Sequence, residues 1–441
     1  MTAITQPGRR HADGATPRVV VAGAGFGGLA AVRKLSRAGI PATLIDRNVY
    51  ATFQPLLYQV ATGGLTSSDV AYPLRAAARR HGAAFRHGEL AGIDAAARHV
   101  VLADGTRLGY DYLILATGVA AAYHGIRGAA EHSLGLYTRQ DAIALRDRIM
   151  AALDQVSRTG GRDSVTVTVI GGGATGVELA GTLADLRTIT LPRYFPEIDP
   201  ARVHITLIDR GSAPLTPFHP ALRDYARHQL AHRGVDVRLG AAIAEISPGK
   251  ILLGDGTALP SDITVWAAGV AATAAVGGWG LPQAAGGRIR TGTDLRVIGQ
   301  ERIFAVGDIA LIDGQPLPQL AQPALQMGRH AARQIRRLEA GQPVTSFRYH
   351  GKGIMATIGY RAAVIQLPHR VRARGTLAWL GWLALHLATL LGGRNRMAAL
   401  VNLSWRYLTW RRGGGGVIGD HPPVIPGAPS GHPPGAVRGP G

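Results

Sequence analysis

Apolar runs and glycine-rich turns alternate along most of this chain in an order that occurs twice. Arg18 to Ala22 is a short, β-rich apolar run that reads as a buried strand, and Gly23-Ala24-Gly25-Phe26-Gly27-Gly28 follows directly. Leu29 to Ala38 is helical in pattern and stops at Gly39, and a second strand, Ala42 to Ile45, closes on Asp46. The same order returns as strand Val165 to Ile170, turn Gly171-Gly172-Gly173-Ala174-Thr175-Gly176, helix Val177 to Leu186, strand Val203 to Ile208 and then Asp209. Strand, glycine turn, helix, strand and acid predict a βαβ dinucleotide-binding unit. The chain is therefore read as α/β, with two Rossmann-like dinucleotide-binding domains.

A second element also repeats. Asp104-Gly105-Thr106 leads to Asp111 and Leu115-Ala116-Thr117-Gly118, and Asp255-Gly256-Thr257 leads to Asp262 and Trp266-Ala267-Ala268-Gly269 at the same spacing. One glycine turn alone would be weak, whereas two, each followed by the same hairpin and strand, make chance a poor explanation.

The first unit offers Gly23, Gly25, Phe26, Gly27 and Gly28 to a pyrophosphate at a helix N-terminus, with Asp46 placed to accept from ribose hydroxyls and Thr117 and Gly118 at the next strand end. The second offers Gly171, Gly173, Thr175 and Gly176, then Asp209 and Gly269. Asp209 comes later than usual, and the extra length around Leu191-Pro192 and Phe195-Pro196 reads as a surface insertion. A carboxylate there favours an unphosphorylated ribose, hence NADH over NADPH, although Arg210 beside it could accept a phosphate. Glu178 near the start of the second helix has two readings, helix-end electrostatics or a place at the nicotinamide end of the cofactor. Arg302 to Asp308 reads as a short strand ending in Gly307-Asp308; that Asp either caps the next turn or bonds the ribityl or diphosphate part of a flavin.

Composition narrows the chemistry. In 441 residues there is no cysteine, which excludes disulfide frameworks, thiolate metal sites and redox-active cysteine pairs. The His residues lack zinc-ligand spacing, so no metal site is expected. A net charge of +20 suggests nucleic acid at first sight. Position argues otherwise: no acid occurs between Ala340 and Gly419, and the basic residues there are interleaved with apolar segments, a pattern that suits an anionic membrane surface. Thr376 to Leu391 is almost wholly apolar but, as a helix of about 24 Å, too short for a hydrocarbon core of about 30 Å. Met397 to Trp410 carries a polar stripe of Asn402, Arg406 and Thr409, and Trp379, Trp382, Trp405 and Trp410 suit an interfacial belt. A monotopic pair of helices fits best, with a single tilted span or a homodimer interface as the other uses of the apolar segment. No signal peptide is read at the start, which points to the cytoplasmic face of the membrane.

Taken together, the residues resemble the type II (non-proton-pumping) NADH dehydrogenases. The likeness rests on the two glycine turns, on Phe53-Gln54-Pro55-Leu56-Leu57-Tyr58-Gln59-Val60-Ala61-Thr62, on Gly176 to Gly181, on Val306-Gly307-Asp308 and on Ala321-Gln322-Pro323-Ala324-Leu325-Gln326. Gly392 to Arg396 and Tyr407 to Trp410 resemble the family's membrane-anchoring end. The resemblance implies FAD on the first unit, NADH on the second and a membrane quinone as acceptor, without proton pumping. It also implies that Gln54 to Thr62 and Asp308 line the flavin, and that Gln322 and Gln326, at i and i+4 on one helix face, flank the quinone head; with Glu178 these are the candidate catalytic residues. Met327 stands where many relatives have a second adjacent Gln. The expected organisation is a tail at residues 1–17, an FAD domain at 18–140 and 285–345, an NADH domain at 141–284, a membrane-anchoring region at 346–412 and a Gly/Pro-rich tail at 413–441. Rival readings are a soluble-acceptor NAD(P)H flavoprotein reductase and a non-catalytic flavin- and NADH-sensing membrane protein. Nucleic acid is not an expected partner.

Overall fold

Strands that are apolar on both faces need cover on both sides, and the two repeated units supply it as parallel sheets flanked by helices. The computed structural model describes residues 17–409, with side chains as far as Trp405. The two tails, Pro17 apart, and the basic and aromatic residues Trp410 to Arg412 lie outside the described residues, as do the side chains of Arg406 and Thr409. In the first sheet Val19–Ala22 is central, between Ala42–Asp46 and Tyr112–Leu115, with Ala84–His87 and Ile303–Ala305 at the edges. In the second, Val165–Ile170 lies between Val203–Asp209 and Ile263–Trp266, with Val235–Leu239 and Leu134–Gly135 at the edges. All pairings in both sheets are parallel.

The second repeated element is a three-stranded antiparallel sheet: Leu90–Asp94, His99–Leu102 and Arg107–Gly109 in one unit, Ile243–Ser247, Lys250–Leu253 and Ala258–Pro260 in the other. Its repeated acids do the same work twice. Asp104 and Asp255 each accept from the N–H two residues on, at 2.9 Å, closing the hairpin turn. Asp111 and Asp262 each accept at 2.7 Å from a main-chain N–H at the start of the central strand, of Arg18 just before it and of Thr166 within it. The spacing of the repeat is thus set by turns and strand ends.

The glycine turns run straight into their helices, Phe26–Ser36 and Ala174–Asp185, so both helices begin three residues earlier than the apolar pattern alone predicts. The second helix continues through a wider turn, Leu186–Thr190, into Leu191–Tyr194, and Leu191 and Ile198 are buried in the core. The stretch lies at the surface as read, with Pro192, Arg193, Tyr194, Pro196 and Glu197 exposed, and Leu191 and Ile198 anchor it to the core. Helix Ala321–Glu339 crosses Phe26–Ser36 so closely that a Cβ on Gly328 would lie 2.0 Å from the carbonyl oxygen of Gly27.

After residue 345 the chain forms an antiparallel sheet, Ile354–Gly359, Ala362–Gln366 and Arg372–Arg374, and then helices Thr376–Thr389 and Gly393–Thr409. The sheet belongs to the second unit's glycine helix: a Cβ on Gly181 would lie 2.3 Å from the Ile358 carbonyl oxygen, and Asp185 accepts from the Tyr360 N–H at 2.6 Å. The last helix hooks the first unit, with Asn395 donating to the Ala71 carbonyl and Asn402 to the Asp69 carboxylate. Asn402 of the expected polar stripe therefore faces protein. Trp379 and Trp382 are buried too, Trp379 edge-on to Tyr360 at 5.4 Å, so they are core residues and not part of an interfacial belt. Among the described residues no helix is long and apolar enough to cross a membrane.

The helix crossing makes a direct prediction. Gly328→Ala should lower the unfolding free energy by about 1–3 kcal/mol, because backbone must shift to admit the methyl group. Gly393→Ala, with nothing within 4 Å of the added carbon, should stay within about 0.5 kcal/mol of the parent. Denaturant unfolding of the two variants checks this; equal stabilities would refute the close-crossing account.

Candidate functional site

Each glycine turn is shaped by what a side chain would hit. Gly23 and Gly171 have φ of +102° and +114°, where L side chains are strained. A Cβ on Gly28 would lie 1.8 Å from the Gly23 carbonyl oxygen, and one on Gly176 would lie 1.9 Å from that of Gly171. By contrast, a Cβ on the middle glycine, Gly25 or Gly173, would meet nothing within 4 Å. The outer glycines thus close the turn on itself while the middle one opens onto free space at a helix N-terminus, which is where a pyrophosphate binds.

The acids that end the second strands are tied to these turns. Asp46 accepts from the N–H groups of Ala24 at 2.7 Å and Asn48 at 2.8 Å. Asp209 accepts from Gly172 and Gly211, both at 2.6 Å. One oxygen of each therefore fixes the glycine turn and the other fixes the turn after the strand, leaving a lone pair on each for ribose hydroxyls. Burial pushes the Asp46 carboxyl above its ordinary value, opposed by the Asn48 and Ala24 N–H groups and by Arg47.

The first turn opens into a cleft. The cleft brings together Gly23, Gly25, Asp46, Gln54, Thr117 and Gly118 from the sequence reading. Tyr137, Gln140, Thr273 and Trp279 join them, residues no motif had marked. Two buried polar atoms on its wall, the Gln54 amide oxygen and the Trp279 indole nitrogen, have no hydrogen-bond partner. An elongated dinucleotide fits this cleft, both in the backbone it leaves bare and in the polar atoms it leaves unpaired.

The remaining predicted residues surround this cleft without all lining it. Phe26, Gly27 and Gly28 form the start of the helix, where Gly27 and Gly307 (φ +74°) admit the Ala324 turn of helix Ala321–Glu339. Thr62 is buried and donates its hydroxyl to the Tyr58 carbonyl, so it caps the short Leu57–Ala61 helix. Asp308 accepts from the Tyr137 hydroxyl at 3.4 Å, and its main-chain carbonyl accepts from Arg288 and Gln319. Burial raises the Asp308 carboxyl, with Arg288 and Tyr137 opposing.

Gln322 and Gln326 share a helix face, but they differ. The Gln326 amide donates to the His350 carbonyl at 2.9 Å and accepts from the His350 N–H at 3.1 Å, so it pins the helix to residues 348–351. Gln322 is half-buried at the helix start, beside the Gly307 approach. Met327 is buried in the first unit's core.

At the second turn Gly173 and Thr175 are exposed, ready for a ligand, and Gly269 has φ +148° with the His124 ring set directly over it: a Cβ there would lie 2.7 Å from Nε2. Glu178 is only 8% exposed, and burial pushes its carboxyl up to about 8. The Thr357 N–H donates to it at 3.3 Å and opposes the rise. The Trp382 indole also opposes it, although its N–H falls short of hydrogen-bonding geometry. Simple stabilisation at a helix N-terminus would have lowered the carboxyl; burial wins. Among the described residues no cluster could hold a metal ion.

Comparison with known proteins agrees with this geometry. The pyridine nucleotide-disulphide oxidoreductase family matches residues 17–328. The type II NADH:quinone oxidoreductase Ndh of Mycobacterium tuberculosis is 36% identical over 429 residues, covering 92% of this chain and 90% of the relative. That of Haemophilus influenzae is 27% identical, covering 80% of this chain and 87% of the relative. NDH2 from Plasmodium falciparum, solved in complex with NADH, superposes with a TM-score of 0.83 at 18% identity, over 91% of this chain and all of that one, which speaks for the fold. The chain belongs to the pyridine nucleotide-disulphide oxidoreductase family and, within it, to the type II NADH:quinone oxidoreductases.

Proposed function

We propose that the chain oxidises NADH and reduces a membrane quinone, with FAD in the first unit and NADH at the second. The observation that carries the reading is the pair of glycine turns, each open at its middle glycine, with the Gln322 helix packed onto the first of them. Bound in the first cleft, FAD supplies the redox chemistry, accepting a hydride from NADH and passing two electrons to the quinone. The protein's own part is placement. Gly25 and the Phe26–Ser36 N-terminus receive one pyrophosphate, Gly173 and Thr175 the other, and Asp46 and Asp209 keep one lone pair per oxygen for ribose. A carboxylate at Asp209 favours NADH over NADPH. Asp308, steadied by Tyr137 and Arg288, and Gln54 face the flavin. Glu178, kept neutral below about pH 8, serves the nicotinamide and quinone end as a hydrogen-bond donor that adds no charge.

Gln322 bonds the quinone head, and Gln326 shapes the same pocket by fixing residues 348–351. The two units correspond to an FAD domain of residues 18–140 and 285–345 and an NADH domain of 141–284, with 346–412 as the membrane-contacting region. That region exposes Leu377, Leu380, Leu385, Met397, Leu400, Val401 and Trp405, ringed by exposed Arg370, Arg372, Arg374, Arg394 and Arg396. Apolar side chains beside uncompensated arginines favour monotopic contact with an anionic leaflet, at the cytoplasmic face. The same surface disfavours the reading in which electrons leave to a soluble acceptor. With no spanning helix among the described residues, nothing there offers a path for pumped protons.

In the FAD-loaded enzyme, Gln322→Ala should slow quinone reduction by about tenfold, the loss of one buried hydrogen bond, while flavin reduction by NADH stays within about twofold. Equal loss in both half-reactions would remove Gln322 from the quinone pocket. The paired substitution Leu377→Glu with Met397→Glu should weaken binding to phosphatidylglycerol-containing vesicles by at least about tenfold. Unchanged vesicle binding, or loss of self-association instead, would assign the face to a homodimer.

A further inference from the structure

Helix Thr376–Thr389 has two opposite surfaces. Outward it exposes Leu377, Leu380 and Leu385, Leu377 to 80%. Inward it buries Trp382 to 1% exposure and stacks that indole on the His386 ring, with centroids 4.1 Å apart and planes 24° from parallel. The stacked pair reaches the first unit's flavin loop through Tyr58 at 6.1 Å and Phe53 at 6.3 Å, and Phe53 in turn meets Phe26 of the glycine turn at 5.8 Å. Trp382 also lies in one buried cluster with Val177 and Leu179, the neighbours of Glu178, and with Ala356 and Ile358, the neighbours of Thr357. Its indole acts on the Glu178 carboxyl, whose hydrogen bond from the Thr357 N–H is long.

We propose that Trp382 and His386 are positioning residues for Glu178: stacked as one unit on the membrane-facing helix, they roof its carboxyl and keep water from it. The proposal rests on the reading that Glu178 serves the nicotinamide and quinone end.

Burial is the largest cause of the Glu178 rise, so whatever supplies the burial controls its proton. His386 brings no charge to the roof. It is itself pushed down to about 4 by burial, and its Nδ1–H donates to the Trp382 carbonyl. No charged group on an element packed against the Glu178 helix is among the causes that move its carboxyl. Tyr58, on the flavin loop, meets the roof through Trp382 at 6.1 Å. Asp185 is paired with Arg233 two turns further along, Arg187 bonds main-chain carbonyls beyond it, and Asp209 is occupied at the glycine end. From the facing Pro220–His232 helix and Val235–Leu239 strand, Arg223, Asp224, Arg227, His228, His232, Asp236 and Arg238 contribute no charge among the causes that move Glu178. The strand Ile354–Gly359, which supplies the Thr357 N–H, carries no titratable side chain. The roof and the membrane face are two sides of one helix, so lifting that helix would wet the carboxyl and release its proton. Seating on the membrane and readiness of the site are thereby coupled.

The test is an infrared pH titration of the protonated carboxyl band in FAD-loaded, vesicle-bound enzyme, the band being assigned by its absence in Glu178→Gln. Trp382→Phe keeps an apolar cover but removes the indole N–H that holds the carboxyl down, so it should move the midpoint up from about 8; Trp382→Ala removes the cover as well, and its midpoint should lie at least about one pH unit below that of Trp382→Phe. His386→Ala leaves the indole in place, should move the midpoint down from that of the parent, and serves as the second variant if Trp382→Ala does not retain FAD. Equal midpoints in Trp382→Ala and Trp382→Phe, or an unchanged midpoint in His386→Ala, each with FAD bound, would overturn the roof. Full NADH:quinone turnover in Glu178→Gln would instead remove the functional role of Glu178, while the band midpoint still decides whether the roof exists.

Discussion

Main-chain oxygen atoms approach three glycines so closely that no side chain could stand between them, and the rest of the structure depends on that contact. Gly28 and Gly176 let each turn fold back on its own first carbonyl, at distances no Cβ could share. Gly328 lets the Gln322 helix lie against the carbonyl of Gly27. With those approaches made, the N-termini of Phe26–Ser36 and Ala174–Asp185 point at open space, and helix Ala321–Glu339 is held against the first glycine turn. A protein whose redox chemistry resides in a cofactor needs little more from its chain than this kind of placement.

The repeated acids extend the same logic. The sequence places Asp46 and Asp209 as ribose ligands, and in the fold each also secures the turn that would hold the phosphates. Ligand contact and scaffold are therefore one network, and removing either acid would loosen the phosphate cradle as well as the ribose. Further along, Asp111 and Asp262 fix the central strands from which both turns spring.

Much of this was legible in the sequence because glycine turns and strand-end acids are local patterns, and their duplication removed ambiguity. The parallel sheets, both turns, Asp46, Asp209 and the position of Asp308 all follow from order and spacing. What the sequence hid was long-range. Tyr137 beside Asp308, Trp279 in the cleft and the Gln326–His350 clamp join residues far apart in the chain, and no periodicity marks them. Trp379 and Trp382 of the C-terminal segment were misread for the same reason. Spacing shows that Trp382 and His386 share a helix face, but composition cannot say whether that face meets lipid or protein. Only the packing of the Thr376–Thr389 helix, which buries Trp382, decides it.

The central claim is that one chain joins two half-reactions at one cofactor. Anaerobic stopped-flow absorbance on the FAD-loaded enzyme tests it most directly, mixing first with NADH and then with a quinone. The account predicts rapid bleaching of the flavin by NADH and rapid recovery on adding quinone. Bleaching without recovery would contradict the quinone assignment, and protein that folds in the presence of FAD yet retains none would contradict the reading of the first cleft.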